Sequence, residues 1–211
     1  MKKLRGKQMS EDSKQYNTEE ELRIERKPGT IHVVVTAVMS GLIAVIGYLT
    51  HNFLPHMVIT VWPTTGLFAV AGIWFGAWGV LAAYIGNTIS AMSALGLVVS
   101  AAQSISTIFQ ALIPAWAFRF FKADPRLMTS RDLTIFMVFG VIVPGFVSTL
   151  IAPPIWFIFG LVPTVEALVY FMMPTWFFSN AIITPIIAWP LLRATSGAVM
   201  KSRAYVKRWL A

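Results

Sequence analysis

Gln103, Ser106 and Gln110 recur at the i, i+3, i+7 spacing that sets side chains on one face of a helix. They lie in a run, from Pro28 to Phe118, without a single Asp, Glu, Lys or Arg. Thr64, Thr65 and Asn87 in the same run, and Asn180 further on, add hydroxyls and amides to equally apolar surroundings. Such groups are costly to bury alone, so each needs a partner. Two readings stand side by side. The groups bond one another between helices, at about 0.6 kcal/mol per contact, or they line a pocket for a small molecule.

Catalysis has little to work with here. The sequence holds no intramembrane pair of acids, no Gly-x-Ser-x-Gly, no His-Glu-x-x-His and no glycine loop ahead of a lysine. Zero cysteines remove thiolate nucleophiles, disulfides and Cys-ligated metals together. Glu166, with His51 and His56, could form a small metal or proton site, yet an acid at a helix N-terminus is already explained by the helix dipole. His32 reads as an interfacial residue. The expectation is a protein that is not an enzyme and holds no metal or cofactor.

The elements that position these residues follow from composition. Of 211 residues, 56% are hydrophobic and 12% charged, with a mean hydropathy of +0.68, whereas soluble domains carry about 25% charged residues. The chain therefore belongs in a bilayer. The neutral span is far longer than the roughly 20 residues of one crossing, and its Pro, Gly and polar breaks divide it. They predict helices over Ile31–Thr50, Met57–Gly76, Trp78–Leu95 and Leu97–Phe121, the last kinked at Pro114. Two more are expected over Leu133–Ala152 and Thr164–Leu192, separated by Pro153, Pro154 and an aromatic stretch suited to the membrane interface.

Charge supplies an independent test of that count. The formal charge is +8, and the basic residues lie up to Lys27, from Arg119 to Arg131, and from Arg193 to Arg208. Cations flanking apolar runs write orientation, and they make nucleic acid a poor partner. Placing all three clusters in the cytoplasm requires four crossings and then two. The expectation is an all-α polytopic bundle of six transmembrane helices in the cell membrane, with both termini cytoplasmic.

Residues 1–30 form a polar cytoplasmic tail, 31–193 the transmembrane domain and 194–211 a basic tail. Val199–Leu210 reads equally as an interfacial helix held on anionic lipid or as a frayed tail that enforces topology. Small residues recur four apart at Ala37 and Gly41, at Gly72 and Gly76, and at Ala82, Gly86 and Ser90. That spacing lets helix backbones approach closely. Internal packing is the ordinary use. On the first helix, Ala37 and Gly41 are also candidates for docking a partner membrane subunit.

Trp62-Pro63-Thr64-Thr65-Gly66, the apolar run from Leu67 to Phe75 and then Gly76 resemble the Trp-Pro-x-x-Gly signature of the bacterial membrane-associated sensor domain, first type. Arg119 in an aromatic run, Trp176 and Thr184-Pro185 extend the likeness over about residues 35–193. Ser179-Asn180 stands where that family tends to show Gly-Asp. The resemblance implies a small-molecule sensing module working with a signalling partner, and it adds Trp62 to the candidate ligand-binding residues. Six helices, a small-residue first helix and the Phe75-Gly76 turn are also similar to the substrate-binding S components of energy-coupling-factor transporters. That likeness implies a coupling subunit and ATPases as partners. A third reading is an accessory subunit of a larger membrane complex.

Overall fold

In lipid no water is available to an open backbone, so an apolar chain closes its N–H groups on its own carbonyls. The computed structural model of the chain describes residues 29–53 and 62–210. Among these residues the regular elements are helical, with no strand. Helix α1 is Thr30–Phe53, α2 is Thr64–Phe75 and α3 is Ala77–Phe120. Next come α4 (Ser130–Ile135), a π-helical turn (Phe136–Ile142), α5 (Val143–Thr149) and α6 (Ala152–Ile158). A second π-helical turn, Ala167–Met172, leads into α7, Met173–Lys201. Four stretches, Thr30–Asn52, Ala77–Phe120, Ser130–Ile158 and Ala167–Lys201, are long and apolar enough to cross a bilayer.

The 44 residues of α3 make two arms rather than one rod, because Gly96 adopts φ 72° and ψ 164°. Asn87 Nδ2, before Gly96, donates to Ser104 Oγ, after it, at 2.8 Å. Along an unbroken helix the same two residues would stand about 25 Å apart. The arms therefore fold back on each other. Nothing lies within 4 Å of a Cβ built at Gly96, so backbone conformation alone demands glycine there. Gly96→Ala is expected to cost about 1–3 kcal/mol, read as a lower thermal midpoint of the purified protein.

All twelve residues of α2 are buried, as a helix apolar on every side must be. Glycines allow the fit. A methyl at Gly72 would overlap the carbonyl oxygen of Ala111, on the second arm of α3, and one at Gly79, on the first arm, would overlap that of Ala71. At Gly66 it would stand 2.5 Å from Ile187 Cβ on α7, and at Gly86 2.7 Å from the Ser40 carbonyl oxygen on α1. The small residues of α2 and α3 thus serve internal packing. Ala37 and Gly41 differ: both are exposed on α1, and nothing lies within 4 Å of a Cβ at Gly41.

Contacts between element ends show which ends lie together. His32 stacks on Trp78 with centroids 5.9 Å apart. Trp74 Nε1 donates to Ser196 Oγ at 2.8 Å, and that hydroxyl donates to the Pro125 carbonyl at 3.1 Å. Arg119 Nη1 reaches the Gly72 carbonyl at 3.3 Å. The start of α1, the turn at Gly76, the 121–129 loop and the end of α7 therefore share one end of the bundle.

Several boundaries depart from the sequence-based expectation. Helix α4 starts at Ser130, before Leu133, because Thr129 and Asp132 form a reciprocal capping box. The expected Leu133–Ala152 helix breaks after Thr149, and the aromatic stretch that follows is itself helical in α6. Helix α7 continues past Leu192 to Lys201. Beyond it, residues 202–210 are irregular and bonded to the bundle, which matches neither an interfacial helix nor a frayed tail. Residues 1–28, with nearly all of the polar tail, and 54–61, with His56 and the expected start of the second helix, lie outside the described residues.

Candidate binding site

Gln110 lies on the second arm of α3, where its Nε2 donates to Ser148 Oγ on α5 and, at 3.4 Å, to Asn180 Oδ1 on α7. Trp176 Nε1 donates to the same Ser148 Oγ at 3.0 Å, and Asn180 Nδ2 donates to the Trp176 carbonyl at 2.7 Å. Three helices are cross-linked in this way. The Trp176 ring meets Trp156 edge to face at 5.2 Å, and Trp156 Nε1 donates to Gln103 Oε1 at 2.6 Å. The two glutamines of one helical face are thus joined through a pair of indoles.

One acceptor in this network is left over. Gln110 Oε1 is buried without a hydrogen-bond partner, which costs about 1–3 kcal/mol if nothing fills its place. Gln110 also lines a cavity of about 10 Å³, together with the polar Thr65, Asn180 and Thr184 and with Gly140, Val141, Pro144 and Gly145. The backbone explains the space. In the π-helical turn the Val143 N–H bonds to the Val138 carbonyl, five residues back, which widens the helix. Gly140 and Gly145 bring no side chain, and Pro144 brings no N–H. A water molecule needs about 10–15 Å³ on this measure, so the slot as it stands is water-sized. None of its lining residues is titratable.

The remaining sequence-predicted residues lie elsewhere. Trp62 touches His51 edge to face at 4.3 Å, and its carbonyl accepts from Thr65 Oγ1 at 3.0 Å. Thr64 is fully buried, and its Oγ1 has no partner. Asn87 is committed to the hairpin with Ser104, and Ser106 Oγ donates to the Gln103 carbonyl of its own helix at 2.8 Å. The structure therefore brings Thr65, Gln110 and Asn180 to the slot and links Gln103 to it. Trp62, Thr64, Asn87 and Ser106 stand outside.

Sequence reasoning missed Ser148 and Trp156, and reached Trp176 and Thr184 only through the family likeness. A signal was available for the tryptophans, since a buried indole N–H requires an acceptor. At the opposite end from Gly76, Glu166 is exposed at the start of the final helical stretch. Among the described residues no group of three His, Cys, Asp or Glu side chains is placed to hold a metal ion. Comparison with protein-family models, curated proteins and solved structures finds no match to the chain.

Proposed function

We propose that this chain is a six-crossing integral membrane protein, with both termini and the 121–129 loop cytoplasmic, that works as a non-catalytic small-molecule sensing module of the membrane-associated sensor type. The observation that carries this reading is the partnerless Oε1 of Gln110, buried beside a slot between three helices. With amides and hydroxyls around it and no charge among the lining residues, the slot suits a neutral ligand rich in hydrogen-bond donors. In the closed state it has room for about one water. A larger ligand enters by moving the π-helical turn Phe136–Ile142, the kind of local irregularity that functional hinges use. The shift then passes through Ser148 and Asn180 into α5 and α7. Along α7 it reaches Ser196, which bonds Trp74 and Pro125 at the cytoplasmic end.

Native mass spectrometry of the chain purified from its own membrane tests this. A neutral small molecule retained by the parent chain and lost from the Gln103→Leu/Gln110→Leu variant supports the reading. Identical spectra from the two retire these glutamines as binding groups. The second reading, an S component of an energy-coupling-factor-like transporter, draws on one observation, the exposure of Ala37 and Gly41 on the outer face of α1. Copurification of a coupling subunit with ATPases, lost on Gly41→Leu, would favour it.

A further inference from the structure

Arg119 stands in the last turn of α3, and its hydrogen bonds go to carbonyls. Nη1 donates to Ala115 O at 2.8 Å and to Gly72 O at 3.3 Å, Nη2 to Val206 O at 2.7 Å, and Nε to Arg208 O. The guanidinium also lies 5.6 Å from the centre of the Trp209 ring, within cation–π range. The segment after α7 is tied down by further backbone bonds. Val206 N–H donates to Trp74 O and Ala77 N–H to Trp209 O, both at 3.0 Å, while Trp78 Nε1 donates to Leu210 O at 3.0 Å. Gly76, at φ +57°, makes the approach feasible, because a Cβ there would lie 2.7 Å from Trp209 O. Val206 is buried, and burial pushes the Tyr205 phenol above its usual range.

Around buried Val206 the segment leaves the side chains of residues 202–203 and 207–210 exposed. Arg203, Lys207 and Arg208 are exposed, and beside them Trp209 and Leu210 are 37% and 53% exposed. Of the acids at this end, Asp124 is paired with Arg126 at 2.6 Å and Asp132 is buried, while the one acid past Asp132, Glu166, lies at the other end of the bundle. Cations interleaved with an indole and a leucine suit an anionic membrane surface, the apolar groups entering the interface while the charges meet headgroups. An undocked tail would present the same charges in no fixed arrangement.

We infer that residues 202–210 form a strap whose backbone Arg119 fixes on the Gly76 turn and whose cations bind anionic lipid headgroups, so that lipid charge and strap docking reinforce each other. By linkage, a surface that binds the docked strap better than the free one stabilises the docked bundle. The strap grips the turn between α2 and α3, so the gain extends to the core. The inference rests on the bundle spanning the bilayer, and that reading fails separately: a parent chain that enters no lipid nanodisc overturns both.

The test uses the full chain in nanodiscs of phosphatidylcholine, with or without phosphatidylglycerol. The parent is expected to melt about 4 °C or more higher with phosphatidylglycerol. Arg203→Gln/Lys207→Gln, two exposed positions, is expected to keep the phosphatidylcholine midpoint and lose the rise. Arg119→Gln is expected to lose the rise as well, and to make the strap cleavable by trypsin. Equal midpoints of the parent in both lipids overturn the proposal, as does an Arg119→Gln variant that keeps the full rise. So does inorganic phosphate reproducing the rise in phosphatidylcholine, which would mark a site for free anions rather than a lipid surface.

Discussion

Replacing Gly72 with alanine is expected to remove about 3 kcal/mol of stability or more. The new Cβ would overlap the Ala111 carbonyl oxygen, a backbone atom that cannot rotate aside. Only separating α2 from the second arm of α3 relieves it, and that separation also stretches the bond from Arg119 Nη1 to the Gly72 carbonyl. Helix α2 is buried along its whole length, so it has no lipid-facing side toward which to shift freely. Gly41→Ala is the control. The same methyl meets nothing within 4 Å on α1, and alanine's better helix preference raises stability by up to about 1 kcal/mol. Thermal midpoints in one detergent compare the two. A fall for Gly72→Ala beside no change or a rise for Gly41→Ala is the expected pair; similar effects at both sites would deny the close α2–α3 approach.

Gln110→Leu is expected to cost about 2–3 kcal/mol and to abolish ligand-dependent stabilisation. The amide bonds to Ser148 and Asn180 vanish. Ser148 keeps the Trp176 indole as donor, but Asn180 Oδ1 loses the donor it has in Gln110. The sign of the result carries information about the slot. If the slot were dry, leucine would also remove the unsatisfied Gln110 Oε1, and the relief would offset most of the loss. A midpoint within error of the parent's therefore means a dry slot, and a clear fall means one that is filled.

The hairpin was readable because Gly96 interrupts two apolar runs, and Gly72 and Gly86 because small residues recur four apart around them; Gly66 and Gly79 were not marked that way, and the same spacing at Ala37 and Gly41 lies exposed. The buried polar set was readable in part. Gln103 and Gln110 declare themselves by sharing a face in an uncharged run, while Ser148 looks like any small residue on a packed helix. Its role exists only because α7 and the second arm of α3 bring Trp176 and Gln110 to the same oxygen. Trp156 looks like an interfacial aromatic until its N–H finds Gln103, far away along the chain. The π-helical turn Phe136–Ile142 is written in apolar residues that suit an ordinary helix equally well. Helix α7 outruns its expected end at Leu192 because the charge of Arg193 reads as a boundary, although Thr195 Oγ1 still bonds to the Leu191 carbonyl inside the helix. The strap was hidden for a related reason: its docking uses backbone carbonyls, which every residue has.

Single cysteines test the membrane weave most directly, since the chain has none of its own. Met128→Cys marks the 121–129 loop, Leu161→Cys the opposite end and Arg203→Cys the strap, all three at exposed positions. In intact cells a membrane-impermeant maleimide is expected to label Leu161→Cys at once, and Met128→Cys and Arg203→Cys only after permeabilisation. Labelling of Met128→Cys from outside while Arg203→Cys stays protected would contradict the cytoplasmic placement proposed for that end, and with it the proposed six crossings.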